Sequence, residues 1–322
     1  MGVLGCADIA WRKTLPALAA VPRLRLTAVA SRTADRAARF ADRFGGTAVT
    51  GYPALLARDD VDAVYLPLPA ALHAPWVERA LRAGKHVLAE KPLATVEADA
   101  RRLVALAADL GLVLAENYMF TRHSQHAEVR RLVAAGVVGE PRLLTAAFAI
   151  PALPADDIRY RPDVGGGALA DVGGYPLRAA TMLLGQGLEV VGATLRRDPA
   201  RGVDLSGTVL LVTPDGVAAQ LAFGMEHAYR CEYEIWGSAG RLRLDRAFTP
   251  PATWKPVLRV ERGGEVQERV LAPDDQFVAA LGAFADAVGT GTDSGLQGPA
   301  ILRQAALVQR IRDTARYLDL PH

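Results

Sequence analysis

The chain has 322 residues, 51% of them hydrophobic, with 37 basic and 35 acidic side chains and a formal charge of +2. That length and apolar content suit two domains, each with its own core, and the even charge excludes a nucleic-acid surface, which needs clustered excess charge. The six histidines and two cysteines form no zinc-ligand cluster, and no apolar run reaches the 18 residues of a membrane span, so no metal and no membrane partner is expected.

The first 117 residues alternate short apolar runs with helical patterns, which reads as a doubly wound parallel α/β sheet. Val3-Leu4 is a strand tail, Leu26–Ala30 a second strand and Ala63–Leu66 a later one; His86–Ala89 and Leu112–Ala115 follow. Between the last two lies a helix with Thr95 as its cap, Glu97 and Asp99 in the positive first turn and Gly111 at its end. Val96, Ala100, Leu103, Ala107 and Leu110 form its apolar face. The first strand begins almost at residue 1, which points to a short strand or to a chain that starts after its natural N-terminus; the second is the expectation.

After residue 117 the texture changes. Helical patterns at 126–135 and 169–184 precede alternating runs at 190–195, 207–212, 217–223, 232–236, 241–244, 257–261 and 266–271, separated by Pro-Asp-Gly, Gly-Ser-Ala-Gly and Gly-Gly turns. They predict a large open, mostly antiparallel sheet with helices on one face. Helices at 277–288 and 300–317 close the chain. The expected division is a dinucleotide-binding domain over 1–120 and a substrate and oligomerisation domain over 121–322.

Gly5-Cys6-Ala7-Asp8-Ile9-Ala10 follows a strand and opens a helix, the G-x-G-x-x-G/A pattern with Ala7 at the second glycine. Gly5 permits the tight turn, Ala10 permits close helix–strand packing, and the helix N-terminus favours a pyrophosphate. Cys6 is expected to pack the turn. The second strand ends in Ser31-Arg32, where an NAD enzyme would carry a carboxylate for the ribose hydroxyl. A hydroxyl and a guanidinium suit a 2′-phosphate, with Arg36 one turn later, so NADP(H) is favoured over NAD.

Leu88-Ala89-Glu90-Lys91-Pro92-Leu93-Ala94 resembles the E-K-P signature of the glucose–fructose oxidoreductase/inositol dehydrogenase (Gfo/Idh/MocA) family. Asp62-Ala63-Val64 leading through Leu68-Pro69 to His73, Glu116-Asn117-Tyr118-Met119-Phe120, Gly139-Glu140-Pro141, the run Gly165 to Asp171, and Gln276-Phe277 match further blocks in order, so the resemblance spans essentially the whole chain. It implies a Rossmann domain followed by an open-faced sheet, an active site between them, dimers or tetramers joined through the sheet, and a cis bond before Pro92. It also implies a cofactor seat of Gly5, Cys6, Ala7, Asp8, Ile9, Ser31, Arg32, Arg36, Leu68, His73, Glu90, Lys91 and Asn117.

Asp171-Val172-Gly173-Gly174-Tyr175 ends in tyrosine where many family dehydrogenases have histidine. That variant resembles glucose–fructose oxidoreductase, dihydrodiol dehydrogenase and, most of all, the NADP-dependent nucleotide-sugar 3-ketoreductases of antibiotic deoxysugar pathways. A histidine, with a reference pKa of about 6.5, suits proton removal, whereas a tyrosine at about 10 is protonated at neutral pH and suits donation. The expected reaction is reduction of a TDP-linked keto-sugar, with Tyr175 giving the proton and Lys91 polarising the carbonyl, or the two roles exchanged. Asp171, Tyr160 and Gln276 are candidate substrate residues; Asp171 is equally a helix N-terminal carboxylate. Arg12 and Lys13 are phosphate contacts or solvated charges. His123, His126 and His227 are expected to be packing or surface residues, and Trp236 and Trp254 core residues, stacking being the alternative. The competing functions are a free-sugar or dihydrodiol dehydrogenase and a non-catalytic NADP-binding regulator. A cytoplasmic location is expected from the low cysteine content.

Overall fold

The computed structural model describes residues 1–291 and 298–319. Contacts divide the chain into two compact units, Met1–Met119 with Phe277–Ala305 and Phe120–Gln276 with Ala306–His322.

The first unit is built from β1 (Gly2–Leu4), α1 (Leu15–Leu18), β2 (Ala28–Ser31), α2 (Ala34–Phe44), β3 (Thr47–Thr50), α3 (Tyr52–Leu56), β4 (Ala63–Leu66), α4 (His73–Arg82), β5 (His86–Ala89), α5 (Glu97–Asp109) and β6 (Leu114–Glu116). Its six strands run in the order β3-β2-β1-β4-β5-β6, every pair parallel. The order reverses between β1 and β4, which opens a crevice beyond their carboxyl ends. β1, β2, β4 and β5 are nearly continuous apolar runs because helices cover both faces.

The expectation for α5 holds in its core and fails at its ends. Ala100, Leu103 and Ala107 are buried, but Val96 and Leu110 are exposed. Val96 rather than Thr95 stands at the N-cap position, with no side-chain cap bond, so both apolar residues lie outside the helical turns that face the sheet. Gly111 adopts φ +64 and ends the helix.

The second unit begins with α6 (Ser124–Ala134), β7 (Pro141–Ala149) and α7 (Gly174–Leu184), which continues a π-helical turn at Leu169–Gly173. β8 (Glu189–Asp198), β9 (Val203–Val212), β10 (Ala218–Gly224), β11 (Arg230–Gly237), β12 (Gly240–Asp245), β13 (Val257–Arg262) and β14 (Glu265–Val270) follow. The chain then forms α8 (Gln276–Thr290), α9 (Gly298–Thr314) and β15 (Arg316–Asp319). Nine strands make one sheet in the order β14-β13-β12-β11-β7-β10-β9-β8-β15. All neighbours are antiparallel except β7 with β10 and β8 with β15.

Three sequence expectations need correction. β7, the middle of this sheet, was not anticipated: its alanines at 146, 147 and 149 are buried on a two-faced strand, so no alternation marks it. The closing helix stops at Thr314, and Arg316–Asp319 pairs instead with β8. Residues 277–291 and 298–305, expected in the second domain, group by contacts with the first; Ile301 belongs to that unit's apolar core and Ala305 packs against it.

α7 and the π-turn lie on one face of the nine-stranded sheet, against β7, β9 and β10. Gly173 meets the ring of Phe223 on β10, where a Cβ would sit 3.1 Å from the ring atoms. The opposite face carries a groove of about 660 Å³ lined by residues such as Thr145, Thr194, Leu210, Gln220 and Glu234.

Candidate active site

The dinucleotide turn has the geometry its residues imply. Gly5 adopts φ +120, and a Cβ there would lie 2.7 Å from the Leu68 side chain, so both backbone and space require glycine. Its N–H donates to Ala30 O on β2 at 3.0 Å. Residues 8 and 9 begin the helix, which widens into a π-turn at Ala10–Thr14 before α1. The exposed N-terminal turn and missing Cβ fit an anionic pyrophosphate. Cys6 is buried, as expected, and burial pushes its thiol pKa up, opposed by the charge of Arg36.

Arg36 is fixed at this turn. Its guanidinium donates to Cys6 O at 2.7 Å, and the Cys6 thiol donates back to Arg36 O at 3.5 Å. Ser31 is buried at the tip of β2, where its Oγ accepts from Thr33 N at 3.3 Å; Arg32 beside it is exposed. Burial raises the Tyr52 pKa, and the charges of Arg32 and Arg36 both reach this phenol to lower it. The tip of β2 and the start of α2 thus present a hydroxyl and two guanidinium groups, one of them bonded to the glycine turn, a donor set suited to a phosphate. Arg12 pairs with Asp8 at the surface.

The Lys91-Pro92 bond is cis, as the resemblance implied. The turn it makes is held from several sides. His73 is buried, its Nδ1 lying 2.7 Å from Pro92 O and its Nε2 2.6 Å from Leu68 O. Both ring nitrogens are thus engaged by backbone, and the ring ties the wall of the glycine turn to the lysine turn. Burial lowers the His73 pKa, partly opposed by the two carbonyl groups. Leu93 N donates to the Glu116 carboxylate at 2.8 Å.

Glu90 ends a chain of hydrogen bonds that starts in the π-turn. Thr14 Oγ1 donates to Tyr65 Oη at 2.9 Å, Tyr65 Oη donates to Glu90 Oε1 at 2.7 Å, and Asn117 Nδ2 donates to the same oxygen at 2.7 Å. Burial raises the Glu90 pKa, while these two donors and the Lys91 charge oppose the rise. Thr14 and Tyr65 were missed by sequence reasoning, since an isolated Thr and a strand Tyr carry no local signal.

In the second unit, Tyr175 sits in the first turn of α7 and is buried. Its ring packs against Phe148 at 4.9 Å, Phe120 at 5.7 Å and Phe248 at 5.9 Å between centroids. Asp171, one turn earlier, accepts from Arg159 Nε at 2.6 Å, and Arg159 also pairs with Asp157. The Asp171 and Asp157 charges hold the Arg159 pKa up. Tyr160 is buried, its hydroxyl accepting from Leu153 N at 3.1 Å and its ring lying 4.2 Å beneath the Arg201 guanidinium. Gln276 is buried, and its Oε1 has no hydrogen-bond partner among the described residues. His123 and His126 are buried packing residues, as expected, and His227 is exposed. Trp236 and Trp254 are not core residues: they are 58% and 37% exposed, Trp236 because its strand turns it away from the buried face of Cys231, Tyr233 and Ile235. Among the described residues no cluster of His, Cys, Asp and Glu could hold a metal, and no helix is long and apolar enough to cross a membrane.

Comparison with known proteins agrees with this geometry. The description "Oxidoreductase family, NAD-binding Rossmann fold" matches residues 1–118, and "GFO/IDH/MocA C-terminal domain" matches residues 126–243. A dTDP-3,4-didehydro-2,6-dideoxy-alpha-D-glucose 3-reductase of Actinomadura kijaniata is 56% identical, over 100% of this chain and 97% of its own length. A solved 3-ketoreductase from the same organism, in complex with NADP and TDP-benzene, superposes with a TM-score of 0.97 at 56% identity, covering 99% of this chain and 98% of its own. That relative has also been solved as a tyrosine-to-phenylalanine variant and as lysine-to-glutamate and lysine-to-alanine variants. A D-xylose 1-dehydrogenase (NADP(+)) of Haloferax volcanii is 36% identical, over 90% of this chain and 89% of its own. With both halves matched and relatives similar along the full length, the chain belongs to the Gfo/Idh/MocA oxidoreductase family.

Proposed function

We propose that this chain catalyses the NADPH-dependent reduction of the 3-keto group of a TDP-linked deoxysugar. The observation that carries the reading is the 56% identity, over 100% of the chain, to a dTDP-3,4-didehydro-2,6-dideoxy-alpha-D-glucose 3-reductase. A second observation supports the choice of catalytic residues. The lysine and tyrosine substituted in the solved relative are separated by the same number of residues as Lys91 and Tyr175 here.

Bound NADPH supplies the hydride. Ser31, Arg32 and Arg36 bind its 2′-phosphate, and the helix N-terminus after Gly5 holds its pyrophosphate. His73 acts from behind, keeping Leu68 and the Lys91-Pro92 turn in place. Glu90 and Asn117 orient the ring end of the cofactor beside Lys91. Lys91 steadies the ketone oxygen as it gains negative charge, and Tyr175 gives that oxygen its phenolic proton. The carbonyl carbon thus gains a hydride and the oxygen a proton, leaving an alcohol. In the alternative arrangement Lys91 gives the proton and Tyr175 binds the substrate.

Assembly and location complete the proposal. The bare face of the nine-stranded sheet is covered by a second copy, giving a dimer or tetramer. Cys6 and Cys231 are buried and unbridged, which suits the cytoplasm.

The test is absorbance at the nicotinamide band with NADPH and a panel of TDP-linked keto-deoxysugars, each beside its free counterpart. Oxidation of NADPH only with the nucleotide-linked ketones is expected. Turnover of free sugars instead would favour the second reading, a free-sugar dehydrogenase, for which the 36% identity to a D-xylose dehydrogenase speaks. Tight NADPH binding with no turnover of any panel member would mark a regulator.

A further inference from the structure

The segment from Arg246 to Pro256, which follows β12, contains Arg246 and Lys255, Pro250, Pro251 and Pro256, and no acidic residue. Its first residues are anchored. Ala247 N donates to Cys231 O at 3.0 Å, and Phe248 N donates to Cys231 Sγ at 3.2 Å. Ala247 O lies 3.0 Å from both Gln125 Nε2 and His126 Nε2. Burial pushes the His126 pKa down to about 3, so its ring is neutral near pH 7. The Tyr233 hydroxyl donates to His126 Nδ1 at 2.9 Å, which leaves the proton on Nε2 for Ala247 O. Phe248 is fully buried beside Tyr175 and Phe148. This end of the segment therefore buttresses the Tyr175 ring.

The rest of the segment faces outward. Arg246 adopts φ +50, a backbone conformation that costs energy for a non-glycine residue. Its guanidinium is centred 5.1 Å from the Trp254 ring and 5.3 Å from the Tyr229 ring. The two rings are 37% and 43% exposed, so neither is closed off from a ligand. Trp254 N donates to Pro251 O at 2.9 Å, and the Tyr229 hydroxyl is 3.1 Å from Thr249 Oγ1, which fixes both rings to the segment. No carboxylate pairs with Arg246 among the described residues, whereas Arg241, Arg243 and Arg259 on the neighbouring strands are all paired with acids. Lys255 is exposed next to Trp254. A partly buried cation without a counter-ion, flanked by aromatic faces and held by prolines, is pre-organised for a ligand that is both anionic and flat.

We infer that Arg246, Lys255 and Trp254 hold the nucleoside diphosphate of the substrate, the two cations meeting the phosphates and the indole meeting the base. The inference rests on the reading of the substrate as nucleotide-linked, and it goes further by assigning that half of the substrate to one segment, which through Phe248 also supports Tyr175.

Calorimetric titration with TDP alone tests it on the folded full-length protein. The wild-type chain is expected to bind TDP. Arg246→Gln is expected to weaken binding by about tenfold or more, the usual cost of a lost hydrogen bond to a charged group, and Trp254→Leu by several-fold. NADPH affinity stays unchanged in both, and KM for the nucleotide-linked ketone rises while kcat changes little. Should Arg246→Gln fail to fold, Trp254→Leu and Lys255→Gln alter only exposed side chains and carry the same comparison. Wild-type TDP affinity in every variant overturns the placement while leaving the substrate class intact. A wild-type chain that binds no TDP and reduces only free sugars overturns the substrate class and the placement together.

Discussion

Asp204 on β9 accepts a hydrogen bond from Leu169 N at 2.6 Å and so caps the π-turn that leads to Asp171 and Tyr175. Gly167 makes room for it: this residue has φ +116, and a Cβ there would come within 2.5 Å of Asp204 Oδ1. The helix that carries the proposed proton donor is thus registered against the sheet by a carboxylate from another strand. Asp204→Ala is expected to cost about 1–2 kcal/mol, the usual loss for a helix cap, and to lower turnover. Asp204→Asn keeps an acceptor and should keep most of both. Burial raises the Asp204 pKa despite its backbone donors. A carboxyl group with a raised folded pKa favours the folded state below its unfolded value of about 3.9, and that contribution fades as pH rises through the folded value. Urea unfolding across that range should show wild type losing ground to Asp204→Asn as pH rises; parallel curves would refute the assignment.

A second pH effect has the opposite sign. His126 is fully buried, and its pKa is pushed down to about 3 by burial, with His123 adding to the drop. A lowered histidine pKa means that stability is fully present above the unfolded value of about 6.5 and is lost as pH falls toward the folded value. The lost contribution is on the order of several kcal/mol. Thermal unfolding between pH 7 and pH 4 should therefore fall steeply for wild type and less steeply for His126→Gln. An identical acid limb in the two proteins would show that His126 is not the group responsible.

The local geometry of the proposed cofactor seat was the most legible part of the chain. A glycine turn, a strand tip and the start of a helix lie within 36 residues, and each acts through local geometry that residue type reports directly: Gly5 through its φ, Ser31 and Arg32 through their place at the end of β2. The helix bearing Tyr175 was legible as a helix, but its support was not. Asp204 lies 35 residues after Leu169, and Thr14 meets Tyr65, and through it Glu90, only when the parallel sheet brings β4 and β5 beside the first turn. β7 escaped notice because its run Ala146-Ala147-Phe148-Ala149 is apolar toward both faces, so the sequence shows no alternation. Trp236 misled for the converse reason: a large aromatic on a strand predicts burial on average, and only the register of β11 with β7 and β12 decides which face it takes.

NADPH preference should reside in the tip of β2. Arg32→Asp replaces an exposed guanidinium by a carboxylate where a 2′-phosphate would sit, turning a charge-assisted hydrogen bond into repulsion. NADPH affinity is expected to fall by at least tenfold and NADH affinity to hold or improve. Arg36→Ala should be less selective, because Arg36 also holds Cys6 O in the glycine turn, and both cofactors should weaken together. Fluorescence titration of the two cofactors against both variants checks this. An Arg32→Asp protein with an unchanged ratio of NADPH to NADH affinity would remove the strand tip from the cofactor seat.

The proton donor is decided by comparing Tyr175→Phe with Lys91→Met. The Tyr175 ring is packed by Phe120, Phe148 and Phe248, so removing its hydroxyl leaves the ring's packing intact and isolates the chemistry. If Tyr175 gives the proton, kcat should fall by about 10²–10⁴, the range for loss of a positioned general acid, with little change in NADPH affinity. Lys91→Met should lower turnover as well, because in either arrangement the ammonium meets the charge developing on the substrate oxygen. The two schemes part on Tyr175→Phe alone. Turnover close to wild type in that variant, beside a Lys91→Met protein that is folded and binds NADPH but does not turn over, would give the proton to Lys91. Tyr175 would then hold the substrate, and its loss would be read in KM.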